Sequence, residues 1–264
     1  MVNIALVGCN GKMGKAVTSA VQSRNDCEIV FGADPFGTPA YDYPVFESLA
    51  VSDKKADVII DFSNPASLDD ILAYALEKKI PCVLCTTGYS PEQVEKIKKA
   101  SESVAVFYSG NMSLGINLLI ELSKEAAKIL GAADFDIEIV EKHHNQKIDA
   151  PSGTALMIAD GISDTLAEEP QYVYDRHSYR KKRSKNEIGI HSVRGGTIVG
   201  EHEVIFAGHD EVVTISHQAQ SKEVFAVGAV NAAVYLADQS AGMYNICLLY
   251  TLRAHETSAH LVCR

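Results

Sequence analysis

Three glycines spaced three residues apart follow the first apolar run of the chain, and they constrain its fold more than any other feature. The run Val2–Val7 is continuous, which is typical of a strand buried on both faces of a parallel sheet. Gly8 permits a tight turn, Gly11 lets backbone amides approach a pyrophosphate, and Gly14 allows a helix to pack closely on the strand. The spacing G-x-x-G-x-x-G is a variant of the dinucleotide-binding fingerprint. Its position between a strand and a helix favours that interpretation over a simple structural turn.

Further apolar runs alternate with helical patterns through the first half of the chain. The predicted strands are 27–33, 57–62, 81–85 and 104–108. A cap at Ser63-Asn64-Pro65 opens one of the intervening helices, and another helix begins near Pro91. Strands that alternate with helices in this way imply a parallel sheet covered on both sides.

The pattern changes near Asn111. A helix is predicted from Ser113 to Leu130, and the segments after it alternate apolar and polar residues with period two. These segments are 134–139, 188–193, 203–206 and 212–215. A last helix, 222–238, returns the chain to the first domain. We therefore predict an α/β protein with an N-terminal Rossmann-type parallel sheet and a second α+β domain with a mixed sheet.

The domain boundaries follow from that change of pattern. Residues 1–112, completed by about 222–264, form the predicted dinucleotide-binding domain. Residues 113–221 form the predicted domain for substrate binding and oligomerisation. A sheet with one free face often packs on another subunit, so we expect an oligomer.

An acidic residue follows the glycine loop at the distance that a dinucleotide requires. Asp34 ends the second strand, about 20 residues beyond the loop, where a carboxylate would bind the ribose hydroxyls of the adenosine half. A carboxylate disfavours a 2′-phosphate, and Pro35 rather than arginine comes next, so the sequence favours NADH. Lys12 could still contact a 2′-phosphate, which leaves NADPH open. Thr86-Thr87-Gly88 lies at the carboxyl end of a strand, in the crevice where such sheets bind ligands.

The most informative stretch for chemistry runs from His143 to Thr154. His143-His144-Asn145-Gln146-Lys147 is followed by Ser152-Gly153-Thr154 at the start of an amphipathic helix. A helix start offers free amides and the positive end of its dipole, which suits a carboxylate. Histidine and lysine can donate protons or pair with carboxylates near neutral pH. A lone histidine is more often structural, but this pair beside an anion-binding helix start predicts a site for an acidic substrate.

The charge and hydropathy of the chain limit the classes of partner that it can bind. The net charge is -10, so a phosphate backbone would be repelled and we expect no nucleic acid partner. The one basic run, 180–185, is either a solvated loop or a local positive field that attracts an anionic substrate. No apolar stretch approaches the ~20 residues that span a bilayer, and the N-terminus lacks the basic region of a signal peptide. We expect no membrane partner.

The cysteines indicate a cytoplasmic, reduced protein, since they lie mainly in apolar contexts without the spacing of a disulfide framework. Cys82 and Cys85 form a C-x-x-C within an apolar run. The period of a strand sends such side chains to opposite faces, so we interpret them as buried strand residues rather than a redox pair. No second ligand pair has the spacing of a zinc site, and no metal is predicted.

The run H-H-x-x-K-x-D-A-P-S-G-T-A from His143 to Ala155 resembles the signature of the dihydrodipicolinate reductase family. The resemblance covers nearly the whole chain. It includes the glycine loop and the segments 61–65, 86–88, 111–117, 194–196, 200–202, 216–219 and 228–229. It implies an NADH- or NADPH-dependent oxidoreductase that reduces 4-hydroxy-tetrahydrodipicolinate, a small cyclic dicarboxylate, to tetrahydrodipicolinate in the diaminopimelate route to lysine. It also implies a homotetramer built by the second domain.

The resemblance implies roles for particular residues. His143 would be the catalytic proton donor and acceptor, and Lys147 a second acid. Contacts to the substrate carboxylates would come from His144, Gly153 and Thr154, and the helix start adds Ser152. The dinucleotide contacts would be Gly8, Cys9, Asn10, Gly11, Lys12, Met13, Asp34, Cys85, Thr86, Thr87, Gly110, Asn111, Met112 and Ser113.

Two departures and two alternatives accompany this interpretation. Cys85 stands where the family often has glycine, and the tail 248–264, with His255 and His260, departs from the family pattern and is assigned no function. An amino-acid dehydrogenase similar to aspartate dehydrogenase would share the glycine loop but not the His-His-x-x-Lys run. A non-catalytic dinucleotide-binding sensor would leave His143 and Lys147 unexplained.

Overall fold

A computed structural model describes residues 1–36 and 41–246 of the chain, which divides into two compact units. The first unit comprises Met1–Leu114 together with the described residues from Lys222 onward, and the second comprises Gly115–Ser221. The tail 248–264 lies outside the described residues. Among the helices of the described part, none is long and apolar enough to cross a membrane.

Helices and strands are numbered along the chain. The first unit contains β1 (Val2–Val7), α1 (Lys12–Gln22), β2 (Cys27–Ala33), β3 (Val45–Phe46), β4 (Val58–Asp61), α2 (Leu68–Lys78), β5 (Cys82–Leu84), α3 (Pro91–Ser101) and β6 (Ala105–Tyr108). The second contains α4 (Leu114–Leu130), β7 (Asp136–His143), α5 (Gly153–Ser163), β8 (Gln171–Val173), β9 (Glu187–Arg194), β10 (Gly200–Ala207) and β11 (Val212–Ala219). The chain then adds α6 (Glu223–Leu236) and β12 (Gly242–Tyr244) to the first unit.

The first unit is built on a parallel sheet of seven strands in the order β12-β6-β5-β4-β1-β2-β3. Successive side chains of a strand point to opposite faces. Ile4 and Leu6 of β1 therefore pack in a core with α1 and α6, whereas Ala5 and Val7 pack in a second core with α2 and α3. The predicted parallel sheet with helices on both faces is confirmed.

The interpretation of the two strand cysteines is also confirmed. Cys82 belongs to the core that contains α2 and α3, and Cys85 to the core that contains α1 and α6. Both are buried free thiols. Burial raises the pKa of Cys82 to about 12, so this thiol stays protonated and unreactive.

The second unit contains a mixed sheet of five strands in the order β11-β10-β7-β9-β8. β10 runs antiparallel to β7 and β11, while β9 runs parallel to β7 and β8. Inward residues such as Ile137 and Ile139 of β7 pack with Ile158 and Ile162 of α5. The prediction of a second domain with a mixed sheet is confirmed.

Four strands of this sheet extend further than the apolar pattern indicates, since β10 already begins at Gly200 and β11 continues to Ala219. β7 was predicted to end near residue 139 but continues to His143, and β9 continues to Arg194. The inward positions of β7 change from isoleucine to Glu141 and His143, so the apolar alternation stops while the strand goes on. β3, β8 and β12 were not predicted, because edge strands of two or three residues carry too little pattern.

The basic run contributes to structure. Arg183 lies 2.9 Å from both Asp136 and Glu138 of β7. Lys185 pairs with Asp134 at 2.5 Å. The pairs of Arg183 attach the segment that precedes β9 to β7, whereas the exposed pair of Lys185 contacts Asp134 just before β7.

Candidate active site

The glycine loop has the geometry that its spacing predicts. Gly8 has a φ of +77°, and a Cβ there would lie 2.6 Å from the carbonyl oxygen of Phe62 at the end of β4. Gly11 caps α1 and donates its N–H to the oxygen of Gly8 at 3.1 Å. A Cβ on Gly14 would overlap that same oxygen. Only glycine therefore lets the loop pass this close to β4 and to its own helix.

Asp34 is tied directly to the loop. The N–H of Asn10 donates to Asp34 Oδ2 at 3.0 Å, and the N–H of Phe36 donates to Oδ1 at 2.9 Å. The side-chain amide of Asn10 in turn donates to the oxygen of Phe36 at 2.6 Å. Each carboxylate oxygen keeps acceptor capacity beyond its one backbone bond, so Asp34 is held in place and still able to accept hydroxyl donors.

A groove of about 690 Å³ joins these features, and its lining includes Gly8, Gly11 and Asp34. Pro35, Phe36 and Asn64 line it as well, although the sequence suggested no contact for Phe36 or Asn64. Cys9 points into the core, where burial raises the pKa of its thiol to about 11. Cys9 can therefore serve a ligand only through its backbone. Lys12 is exposed at the start of α1.

A second pocket of about 350 Å³ collects the remaining predicted dinucleotide contacts of this unit. It is lined by Met13, Phe62, Ser63, Cys85, Thr86, Thr87, Ser109, Gly110, Asn111, Met112 and Phe225. The strand ends and α1 contribute residues from four separate stretches of sequence. Ser113 is fully buried, and its N–H donates to Asn111 Oδ1 at 2.9 Å. Phe225 of α6 and Ser109 had no signal in the sequence that indicated such a role.

The second unit places the predicted acid His143 beside a buried carboxylate. His143 Nδ1 lies 2.5 Å from Glu141 Oε2, two residues back along the same face of β7. Arg194 of β9 donates to both oxygens of Glu141, at 2.8 and 2.7 Å. Burial acts to raise the pKa of Glu141, but the hydrogen bonds from Arg194 and His143 outweigh it and hold that pKa at about 2.

A second histidine completes the surroundings of His143. The ring of His202 meets it edge-on, with 5.3 Å between ring centroids. A Cβ on Gly200 would lie 3.0 Å from His143 Nε2, so a larger residue at this position would crowd that nitrogen. Burial lowers the pKa of His143, and the charges of Lys147 and Arg194 add to that effect while Glu141 opposes it. Burial also lowers the pKa of His202 to about 3, so His202 is neutral.

Lys147 contacts a carboxylate at the start of α5. Its Nζ lies 2.9 Å from Asp149 Oδ1, and the backbone N–H of Gly153 adds to the lowering of the pKa of that carboxyl group. Burial acts to raise the pKa of Asp149, but these contacts lower it. Within the described residues 1–36 and 41–246, nothing lies within 4 Å of the position of a Cβ on Gly153, so this helix end is open there. This helix start therefore presents a lysine ammonium and a backbone N–H to a carboxylate.

Ser152 acts as the cap of α5. Its Oγ accepts the N–H of Ala155 at 3.2 Å and lies 3.1 Å from His202 Nε2. Its own N–H donates to Glu141 Oε1 at 3.1 Å. Thr154 follows in the first helical turn, and His144 is half-buried beside His143 in the chain. The structure thus brings both ends of the predicted motif to the inner face of one sheet.

Glu141, Arg194 and His202 were assigned no role from the sequence. One signal for two of them exists, since Glu141 continues the inward positions of Ile137 and Ile139, and His202 those of β10. A polar residue at an inward position of an alternating strand indicates either a network or a site. Among the described residues, no group of three or more His, Cys, Asp or Glu side chains is arranged to hold a metal ion.

Comparison with known proteins identifies similar sequences and folds. A family model described as "Dihydrodipicolinate reductase, N-terminus" matches residues 2–112, and one described as "Dihydrodipicolinate reductase, C-terminus" matches residues 115–248. A 4-hydroxy-tetrahydrodipicolinate reductase of Clostridium tetani is 52% identical over 250 residues, which cover 94% of this chain and 97% of the relative. One from Caldanaerobacter subterraneus subsp. tengcongensis is 52% identical over 246 residues, covering 93% and 97%.

A solved structure agrees with these matches. Dipicolinate-bound dihydrodipicolinate reductase from Paenisporosarcina sp. TG-14 superposes with a TM-score of 0.76 at 25% sequence identity. The match covers 93% of this chain and 97% of that structure. The similarity therefore spans both units and not the dinucleotide-binding part alone.

Proposed function

The chain belongs to the dihydrodipicolinate reductase family, and on that premise we propose that it reduces 4-hydroxy-tetrahydrodipicolinate to tetrahydrodipicolinate with NADH or NADPH. This reaction belongs to the diaminopimelate route to lysine. The observation that carries the proposal is the arrangement of His143, Lys147 and the start of α5, where proton donors adjoin a place that already holds a carboxylate. Relatives that are 52% identical over most of the chain support the same activity, and a non-catalytic sensor would leave His143 and Lys147 unexplained.

The first unit fits a nicotinamide dinucleotide, which supplies the hydride when bound. The backbone of Gly8 to Met13 would hold the pyrophosphate, because Gly8 and Gly11 carry no Cβ and the first turn of α1 offers free amides. Asp34 would accept the ribose hydroxyls. The pocket lined by Cys85, Thr86, Thr87 and the segment 110–112 would hold the nicotinamide end, with Ser113 fixing that segment through Asn111.

The cofactor preference depends on Asp34. The anchored carboxylate repels a 2′-phosphate, so we propose a preference for NADH. Asp34→Asn keeps an acceptor oxygen but removes the charge. The ratio of kcat/KM for NADPH to that for NADH is expected to rise roughly tenfold, the equivalent of about 1.4 kcal/mol. Steady-state kinetics with both cofactors measure it, with Asp42→Asn as a control on an acidic residue outside the groove lining. If this ratio of kcat/KM values is unchanged, Asp34 does not determine the preference for NADH over NADPH.

The second unit would hold the substrate by its carboxylates. Lys147 and the amides of Gly153 and Thr154 would bind one carboxylate, as Lys147 now pairs with Asp149. Ser152 supports this helix start by capping it, and His144 would contact the substrate from the adjoining strand end. A dianionic ring would be stabilised here by positive charge and helix-end amides together.

The reaction consumes a proton, and His143 and Lys147 are the side chains proposed to supply it. The substrate loses its hydroxyl as water and gains a hydride, so each turnover consumes one proton. A group that donates protons must therefore be present in its protonated form. We propose that His143 donates and accepts protons at the ring and that Lys147 supplies a proton as reduction completes. Positioning the ring against the hydride donor would provide much of the acceleration.

Assembly and location complete the proposal. We propose a homotetramer built by the second unit, where Leu118, Leu122 and Ile129 of α4 are 55%, 48% and 70% exposed and would be covered by another subunit. Light scattering on the purified protein measures the mass.

The cysteines at 9, 27, 82 and 85 are free thiols, the form that a reducing cytoplasm maintains, and we propose that location.

The activity is tested by following NADH absorbance with freshly prepared 4-hydroxy-tetrahydrodipicolinate. We expect rapid oxidation that depends on both substrate and enzyme. An enzyme similar to aspartate dehydrogenase would instead reduce NAD⁺ with aspartate. A sensor would bind NADH without turnover with either compound, and that outcome would overturn the proposed function.

A further inference from the structure

Glu141 is the most completely buried carboxylate of the second unit, and the proposed chemistry gives it no direct part. Its side chain is fully inaccessible to solvent. Its two oxygens are shared among His143, Arg194 and the N–H of Ser152. Burying a carboxylate costs several kcal/mol unless it is paired and hydrogen-bonded. The buried charge of Glu141 lies next to His143, the proposed acid, and this position suggests a function for the charge.

We propose that Glu141 is a positioning residue for His143. Its carboxylate, neutralised by Arg194, holds the imidazole ring with the proton on Nδ1 directed at Oε2 and stabilises the charged ring when the second proton is bound. This inference rests on the proposed function, in which His143 is the proton donor.

The geometry leaves one nitrogen of His143 for chemistry. Since Nδ1 is committed to Glu141 at 2.5 Å, only Nε2 can face a ligand. Nε2 lies over the backbone of Gly200, where a Cβ would come within 3.0 Å of it. A hydrogen bond at one ring nitrogen decides which tautomer the other presents. The neutral ring therefore offers Nε2 as an acceptor, and the charged ring offers it as the donor that the reduction needs.

Arg194 extends this arrangement to the other half of the site. Besides its two bonds to Glu141, it donates to the carbonyl oxygen of Asp149 at 2.6 Å. Glu141 in turn accepts the N–H of Ser152, which caps α5. One buried ion pair therefore fixes the acid, the residue that pairs with Lys147, and the start of the helix proposed to bind a carboxylate.

The charged and titratable groups around His143 come from four elements. Glu141 lies on its own strand, Arg194 on β9, His202 on β10, and Lys147 with Asp149 on the loop before α5. Of these, Glu141 acts to raise the pKa of His143, whereas Lys147 and Arg194 act to lower it. Removing the charge of Glu141 must therefore make His143 a stronger acid.

The test is the pH profile of kcat/KM in Glu141→Gln. Activity that needs protonated His143 is present below its pKa and lost as the pH rises through it. Loss of the Glu141 charge is expected to move this basic limb to lower pH by roughly 1 unit or more. The matched control is Glu203→Gln, since Glu203 pairs with Lys142 at 2.8 Å on the opposite face of the same sheet. In Glu203→Gln, the basic limb of the pH profile of kcat/KM is expected to lie at the same pH as in the wild-type protein.

The outcomes separate this inference from the proposed function. If Glu141→Gln lowers thermal stability but leaves the limb where it is, Glu141 is only structural and the inference is overturned. If His143→Gln keeps full turnover, the assignment of the acid fails instead, whatever Glu141 does. Wild-type protein that does not oxidise NADH with the substrate refutes the proposed function alone.

A measurement without turnover covers the case in which Glu141→Gln does not fold. Nitrogen-15 NMR of histidine in the wild-type protein reports the tautomer of each neutral ring. We expect His143, assigned by its absence in His143→Gln, to carry its proton on Nδ1. A neutral ring with its proton on Nε2 would overturn the inference.

Discussion

Replacing Lys147 by alanine is expected to lower kcat by roughly 10²-fold or more, as removal of a general acid usually does. Lys147 is the only proposed proton donor outside the Glu141–His143 pair. Its ammonium already contacts a carboxylate at 2.9 Å, so the loss would also weaken binding of the dianionic substrate. Stopped-flow and steady-state measurements of NADH oxidation give kcat and KM separately. If kcat is unchanged in Lys147→Ala, Lys147 does not donate a proton in the chemical step.

Lys147→Arg separates charge from proton donation. Arginine keeps the positive charge and pairs well with carboxylates, but it does not give up its proton in proteins. If Lys147 donates a proton, Lys147→Arg should recover the KM lost in Lys147→Ala while kcat stays low. If Lys147 only binds a carboxylate, both parameters should recover together. Gln146→Ala serves as the control, because Gln146 is an exposed neighbour whose side chain donates to its neighbour Asn145.

Gly8→Ala is expected to destabilise the first unit by about 3 kcal/mol or more and to abolish tight binding of NADH. The left-handed backbone at Gly8 costs a non-glycine residue about 1–2 kcal/mol. The added Cβ would also lie 2.6 Å from the oxygen and 2.8 Å from the carbon of the Phe62 carbonyl, so backbone must move. Overpacking of this kind costs about 1–3 kcal/mol more. Urea unfolding and fluorescence titration with NADH measure the two effects.

Gly88→Ala provides the matched control for this variant. Gly88 has a φ of +83°, close to that of Gly8, but nothing lies within 4 Å of its Cβ position. It should therefore suffer the backbone strain alone, about 1–2 kcal/mol. The difference between the two variants isolates the contact between the loop and β4. Equal destabilisation would show that the close approach to Phe62 does not constrain Gly8.

The local parts of the fold were predictable because their causes are local. Apolar periodicity identified β1, β2 and β4, and the change to period two identified the mixed sheet. A short edge strand such as β8 carries three residues, too few to distinguish its pattern from a loop. Strand ends were harder still, since β7 continues through Glu141 and His143 after its apolar residues stop.

The candidate site was predictable as a motif but not as a network. His143, Lys147 and Ser152 lie within ten residues, so their chemistry and the helix start could be recognised together. Arg194 and His202 lie about fifty residues away along the chain. Their polar character resembles that of any exposed strand residue. His202 can be recognised only as an inward polar position of β10, and for Arg194 no signal exists without the register of the sheet.

The sequence by itself determined where glycine is required, where strands and helices alternate, and which residues could carry protons, because these follow from the conformation and chemistry of each residue and its near neighbours. The tertiary structure alone decided which polar groups meet. The parallel register sets Arg194 opposite His143, and the antiparallel register sets His202 opposite Glu141. Register is selected by the packing of a whole sheet face, and a shift of one residue would turn every one of these side chains to the other side. The network around His143 is therefore a property of the sheet and not of its motif.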